Sequence, residues 1–342
     1  MWINLSKSDQ ARYAWQVFRA KEGWKGRLKE MIQGGRFPHA CILEGPQGSG
    51  KELLGHVIAR ALLCESKEEF SCGHCIACQI MESGNHPDFF VVRPKKTKVL
   101  GVEDVREQIV EEAAIKPYRA DRKVFLVPEA GEMTQAAQNA LLKTLEEPPG
   151  QAVFLLLAQQ AGQFLPTVRS RCPVISIPPL SESDVAQYLM DEKKVPEGEA
   201  HFLGEYAAGC IGRALQLWEE EGFLAMREDV LMKLAGFWQT PFSDVMLWPG
   251  QWAADQQASL FFDLVAMFFR DVLVEKQLPG SSFLLQKDRK EFITQAARSW
   301  SMTEVYRGIT AVVRAKRQVQ QNVNFQLALE AMLLEIKGER HV

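Results

Sequence analysis

Two clusters of residues in this sequence are suited to chemistry. The first is GPQGSGKE at 45–52. A phosphate-binding loop follows G-x-x-x-x-G-K-[ST]. Its glycines let backbone amides approach phosphate oxygens, its lysine reaches the terminal phosphates, and its hydroxyl holds Mg²⁺. Gly45, Gly50 and Lys51 meet the pattern, Gly48 adds a further glycine, and Glu52 stands where the hydroxyl belongs. Nucleotide hydrolysis also needs two carboxylates at the end of a later strand, one for Mg²⁺ and one to polarise water. The candidate strand KVFLV at 123–127 ends in Pro128 and Glu129. Glu129 can polarise water, but Pro128 cannot bind a metal. Both metal positions are changed, so competent hydrolysis is not expected. Two readings of the loop stay open. It is a weak site for ATP or ADP, or it is only a tight strand-to-helix turn that glycine makes easy, with Lys51 left in solvent.

The second cluster is Cys64, Cys72, Cys75 and Cys78, spaced C-x7-C-x2-C-x2-C. Four thiolates so close in sequence can close a tetrahedral Zn²⁺ site, and a full set of four leaves no open position for substrate. The expected role is structural. The competing reading is four unrelated buried thiols, which the repeated x2 spacing disfavours. His74 is a weaker ligand candidate. Cys41, Cys172 and Cys210 carry no partner signature and read as ordinary thiols.

These clusters need elements to hold them. ACILEG at 40–45 reads as a strand leading through the glycine turn into a helix, ELLGHVIARALLC. FFVVRP (89–94), KVFLVP (123–128) and AVFLLLA (152–158) are further buried strands. Helical patterns at 102–114 and 134–147 lie between them, the second stopped by PPG. Near-continuous apolar strands alternating with helices imply a parallel α/β sheet covered on both faces. After PPLS at 178–181 the strands stop, and helices are expected at 182–190, 199–206 and 211–220. Two apolar stripes follow. One is Phe261, Leu264, Val265, Phe268 and Val272; the other is Phe325, Leu329, Met332, Leu333 and Ile336, with Asn324 as its cap. The expected division is an α/β domain over 1–178, a small helical domain over 179–235 and a helical bundle over 236–342. No repeat or low-complexity segment is evident.

Bulk properties narrow the class. The chain has 342 residues, 24% charged and 46% hydrophobic, with 40 basic against 43 acidic residues for a net charge of −3. That is the composition of a globular protein. Any nucleic-acid contact must come from local patches. No apolar run approaches a membrane span, and MWINLSKSDQARYAW lacks the layout of a signal peptide. A cytoplasmic location is expected, with no membrane partner.

HACILEGPQGSGK at 39–51, the four-cysteine insert, NALLKTLEEPPG at 139–150 and LPTVRSRC at 165–172 together resemble the DNA polymerase III clamp-loader subunits of the AAA+ class. NVNFQLALEAMLLEI at 322–336 is similar to a last collar helix in that family. The resemblance implies a P-loop AAA+ domain, a helical lid and an oligomerising collar. It implies a hetero-oligomeric ring in which motor (tau/gamma) subunits hydrolyse ATP beside a delta subunit and a stationary, non-hydrolysing member. Such a ring loads a sliding clamp on primed DNA. The family's arginine finger falls on Arg171, within Ser170-Arg171-Cys172, and serves the nucleotide of a neighbouring subunit. A trans-acting guanidinium of this kind is worth about 10³–10⁵ in rate.

Two further family positions test that expectation. The first nucleotide sensor falls on Ala158, which has no polar group. The second falls on Gly212, with Arg213 one residue late, a shift of about 100° around a helix. Positions 52, 128, 158 and 212 therefore all depart from an ATPase. RPKKTK at 93–98 and Arg106 are candidates for DNA phosphates, against the plainer reading of a solvated loop. Arg314, Lys316 and Arg317 read as a solvated collar face. Three functions stand: a non-hydrolysing clamp-loader scaffold, an active AAA+ ATPase with unusual metal ligands, and a zinc-bearing nucleic-acid adaptor.

Overall fold

The computed structural model describes residues 18–338 apart from 67–69, 97–98 and 254–257. MWINLSKSDQARYAW, Thr97 and Lys98 thus lie outside the described residues. The chain forms two compact units. One ends at Ser181 and takes in Ala208–Arg213; the other holds Glu182–Ala207 and Ala214–Val342.

The first unit is α/β. Its elements run α1 (Glu22–Gln33), β1 (Ala40–Glu44), α2 (Lys51–Leu63), α3 (Ile76–Glu82), β2 (Phe89–Val91), α4 (Val102–Val105), α5 (Glu112–Ala114), β3 (Val124–Val127), α6 (Gln135–Glu146), β4 (Val153–Ala158), α7 (Pro166–Arg169) and β5 (Val174–Ser176). The strands pair in the order β2-β3-β4-β1-β5, all parallel. Alternate residues feed opposite faces. Ile42, Phe125, Val127, Phe154 and Leu156 enter one core, while Cys41, Leu43, Leu126, Leu155 and Leu157 enter the other. Burial on both faces explains why these strands read as unbroken apolar runs. Phe90, Phe125 and Phe154 stack across three strands at centroid spacings of 5.1 and 5.2 Å. The expected strands and the parallel, doubly covered sheet are all present.

Two features depart from the sequence pattern. β5 is additional; it pairs with β1 at the sheet edge, and its Val174 is exposed, so no alternation announces it. The expected helix over 102–114 is continuous but passes through a π-turn at Arg106–Glu111 between α4 and α5.

The second unit is helical: α8 (Glu182–Lys193), α9 (Glu197–Tyr206), α10 (Ile211–Glu219, starting in the first unit), α11 (Phe223–Ala235), α12 (Phe242–Val245), α13 (Trp248–Ala253), α14 (Ala258–Gln277), α15 (Lys290–Ser299), α16 (Met302–Gln320) and α17 (Phe325–Lys337). The α14 stripe is buried throughout, and on α17 Leu329, Met332, Leu333 and Ile336 are buried while Phe325, at the helix start, is half-buried. Asn324 caps α17 by accepting from the Leu327 amide at 3.1 Å. No helix among the described residues is long and apolar enough to cross a membrane.

Candidate functional site

The glycine loop joins β1 to α2 at the carboxyl ends of the parallel strands, where such sheets bind ligands. Its backbone has the conformation that glycine permits: φ is 76° at Gly48 and 82° at Gly50, which precedes α2. The loop is also filled from within the chain. Lys51 turns its ammonium onto the carbonyls of Gly45 and Pro46, each at 2.7 Å. Burial lowers its pKa, against a smaller opposing effect of Cys210. Lys51 is thus half-buried, with its ammonium bonded to the loop's own carbonyls. The Gly48 carbonyl accepts the Gly212 amide at 2.9 Å. A Cβ on Gly48 would lie 2.8 Å from the Arg213 Cβ, and one on Gly212 would lie 2.8 Å from the Gly48 oxygen. Gly212, the residue the resemblance sets at the second sensor position, therefore packs its backbone closely on the loop. Gly45 adjoins Ser49, whose hydroxyl is buried without a hydrogen-bond partner.

The substituted metal positions form an ion network. Arg93 donates to Glu52 at 2.5 Å and lies 3.9 Å from Glu129. A guanidinium bridges the carboxylate in the hydroxyl's place and the carboxylate of the water-polarising position. These residues do not fit a Mg²⁺-nucleotide: the charge that would be drawn to a metal is already matched by Arg93. The three side chains are 38–45% exposed, so solvent screens the pairs and their individual strengths are modest. Within RPKKTK, Lys95 is paired as well, with Glu107 at 2.9 Å. Arg93 and Lys95 thus have carboxylate partners inside the chain.

Arg171 sits just after α7, between two buried anchors, Val168 and Cys172. Pro166 opens this short helix, and the Leu165 amide before it is held at 2.8 Å by the side-chain oxygen of Gln138, a buried amide on α6. The Arg171 side chain is 34% exposed and pairs with Glu146. It also donates to the Thr167 carbonyl at 2.8 Å and the Ser170 hydroxyl at 3.1 Å. Burial raises the Cys172 thiol to about 11, with Arg171 opposing. Glu146 and Gln138 were not singled out in the sequence, although LEEPPG contains the first.

The four cysteines converge. Their sulfurs all lie within 4.8 Å of one another, with Cys64 at 3.6 Å from Cys72 and 3.9 Å from Cys75. A tetrahedral Zn²⁺ with Zn–S of about 2.3 Å has sulfur edges of about 3.8 Å, so the donor set fits the metal. Cys64 follows α2, Cys75 caps α3, and Cys78 lies within it. The amides of Cys72, Cys75 and Cys78 donate to the sulfurs of Cys64, Cys72 and Cys75 at 3.4, 3.3 and 3.4 Å. Burial pushes the Cys64 and Cys78 thiols up. At Cys72 burial acts in the same direction, but hydrogen bonds from the Cys75 and His74 amides and neighbouring thiols outweigh it, lowering the value to about 7. His74 is exposed and accounted for by the Cys72 carbonyl at 2.9 Å. Cys41, Cys172 and Cys210 are buried and free.

Comparison with known proteins gives consistent matches. The family model for the DNA polymerase III delta subunit matches residues 21–181, and the model for that subunit's C terminal matches residues 221–338. The DNA polymerase III subunit delta' of Escherichia coli strain K12 is 31% identical over 317 residues, covering 91% of this chain and 92% of that protein. The Bacillus subtilis strain 168 subunit of the same name is 27% identical, covering 91% and 94%. Among solved structures, a DNA polymerase III gamma subunit-related protein from Thermotoga maritima aligns over 90% of this chain and 96% of its own, at 20% identity and a TM-score of 0.46. With a relative above 30% identity along nearly its whole length, this chain belongs to the delta-prime family of DNA polymerase III clamp-loader subunits.

Proposed function

We propose that this chain is a non-hydrolysing scaffold of the clamp loader, which helps load the sliding clamp on primed DNA and lends Arg171 to a neighbouring ATPase. The observation that carries the first half is the Glu52–Arg93–Glu129 network, because the charges an ATPase would spend on Mg²⁺ are spent on an arginine. Lys51 and Gly48, tied to backbone groups, act in the same direction. The loop is then kept as a strand–helix turn and a packing surface. Arg171 retains a forked guanidinium on a well-anchored, partly exposed turn. To act in trans it exchanges the Glu146 carboxylate for γ-phosphate oxygens, which have the same bidentate geometry. Its partners in this reading are the motor (tau/gamma) and delta subunits, in the cytoplasm. The same reading divides the helical part at 235 into lid and collar, and has Cys64, Cys72, Cys75 and Cys78 hold a structural Zn²⁺, cross-linking the end of α2 to α3. The purified chain should show no Mg²⁺-dependent ATP hydrolysis above background. Robust turnover would overturn the reading and favour an active ATPase with unusual ligands.

A further inference from the structure

We propose that Arg60 is the counter-charge of the four-cysteine centre and sets how tightly it holds zinc. The inference rests on the zinc reading above. Arg60 lies on α2 one turn before Cys64, and is 2% exposed. Its Nη2 is 3.4 Å from where a Cβ would stand on Gly73, between Cys72 and Cys75, so the guanidinium lies against that turn. It also contacts Cys78. Its carboxylate neighbour, Glu82, is at a loose 3.5 Å. Nε and Nη1 are buried without a hydrogen-bond partner, as is Oε1 of Glu82. A buried cation with two idle donors is costly, and one long contact to Glu82 does not account for it.

The metal centre supplies the missing account. One Zn²⁺ and four thiolates sum to a charge of −2. Backbone amides donate to the sulfurs of Cys64, Cys72 and Cys75. Dipoles soften that charge, but a buried cation cancels half of it. Arg60 is then a buried cation for which thiols ionised around a metal supply a second counter-charge beside the loosely held Glu82. Such outer groups typically change metal affinity by about 10–100-fold.

The test uses the full chain, with zinc content by elemental analysis, affinity by competition with a chromogenic chelator, and far-ultraviolet circular dichroism. Wild type should carry one zinc; if it carries none, the zinc reading fails independently of Arg60. Arg60→Gln, which keeps length and donors but not charge, should bind zinc about 10–100-fold more weakly. Arg60→Lys should stay closer to wild type, and Glu82→Gln should keep its zinc. The loss should persist in Arg60→Gln/Glu82→Gln. Unchanged affinity in Arg60→Gln, or recovery in the double variant, would overturn the proposal and leave Arg60 as the partner of Glu82 alone.

Discussion

If the glycine loop is retained as a packed turn and not as a phosphate cradle, Gly48→Ala should act on stability. Gly48 has φ 76°, and its hypothetical Cβ falls 2.8 Å from that of Arg213. A left-handed conformation costs a residue with a Cβ about 1–2 kcal/mol. Forcing a methyl against a neighbour that cannot swing away costs about 1–3 kcal/mol more. The Gly48 carbonyl also accepts the Gly212 amide at 2.9 Å, so relaxation of the loop weakens that bond. The sum is about 2–5 kcal/mol, or a melting shift of about 4–20 °C at 2–4 °C per kcal/mol. Gly23→Ala is the control. Gly23 lies in α1 with nothing within 4 Å of its Cβ position, so that change should be neutral or stabilise by about 0.5–1 kcal/mol. Thermal unfolding measures both. Millimolar Mg²⁺-ATP should move neither wild type nor variant by more than about 1 kcal/mol, the linkage expected for a dissociation constant near or above the ligand concentration. An unshifted Gly48→Ala that loses nucleotide-dependent stabilisation would refute the argument, since that is how a working cradle behaves.

Two more predictions follow from charges in the first unit. Arg93→Met should cost only about 0.5–1.5 kcal/mol, because the groups are about 40% exposed; Arg93→Met/Glu52→Gln should recover part of it, and a double-mutant cycle in urea checks the coupling. Asp88 is fully buried and accepts the amides of Tyr118, Arg119 and Ala120 at 2.6, 2.8 and 2.8 Å. Burial alone would raise its pKa, but the three amides outweigh burial and hold it below the ordinary value of 3.8. With the folded value depressed, its stabilisation is present above the unfolded value and is lost as pH falls through the folded one. Asp88→Asn should therefore cost about 2–4 kcal/mol at pH 7, with the gap from wild type closing below about pH 4 in a urea series.

Much of the fold was legible because the central strands are buried on both faces, and their apolar runs stand out between helical periods. Asn324 was legible as a helix cap because a short polar side chain before an apolar stripe has few other uses, and it accepts the Leu327 amide; Thr134, which caps α6 in the same way, was read only as the start of a helical stretch. β5 was not legible, since an edge strand of three residues with an exposed Val174 carries no pattern. The altered residues at 52, 128, 158 and 212 could be read as losses. What replaces them could not, because Arg93 meets Glu52 across 41 positions of sequence. Within RPKKTK it looked like one basic residue among several. Glu146 was hidden for the same reason, 25 positions from Arg171. The four cysteines were visible by spacing, but the buried Arg60 was not, because an arginine one turn from a cysteine is common on any helix.

The central claim is that catalysis belongs to a neighbour and that this chain contributes Arg171. Reconstituting the chain with motor and delta subunits, clamp and primed DNA tests it most directly. Wild type is compared with Arg171→Ala and Arg171→Lys for assembly, DNA-stimulated ATP hydrolysis and clamp loading. Arg171→Ala should fold and assemble, since the buried Val168 and Cys172 still anchor the turn and the bonds the arginine makes to Thr167, Ser170 and Glu146 are partly exposed. ATP hydrolysis should fall in part, clamp loading should fall further, and Arg171→Lys should rescue poorly because an ammonium cannot make the forked contact. Normal assembly with both activities at the wild-type level would contradict the account and leave Arg171 as the surface partner of Glu146.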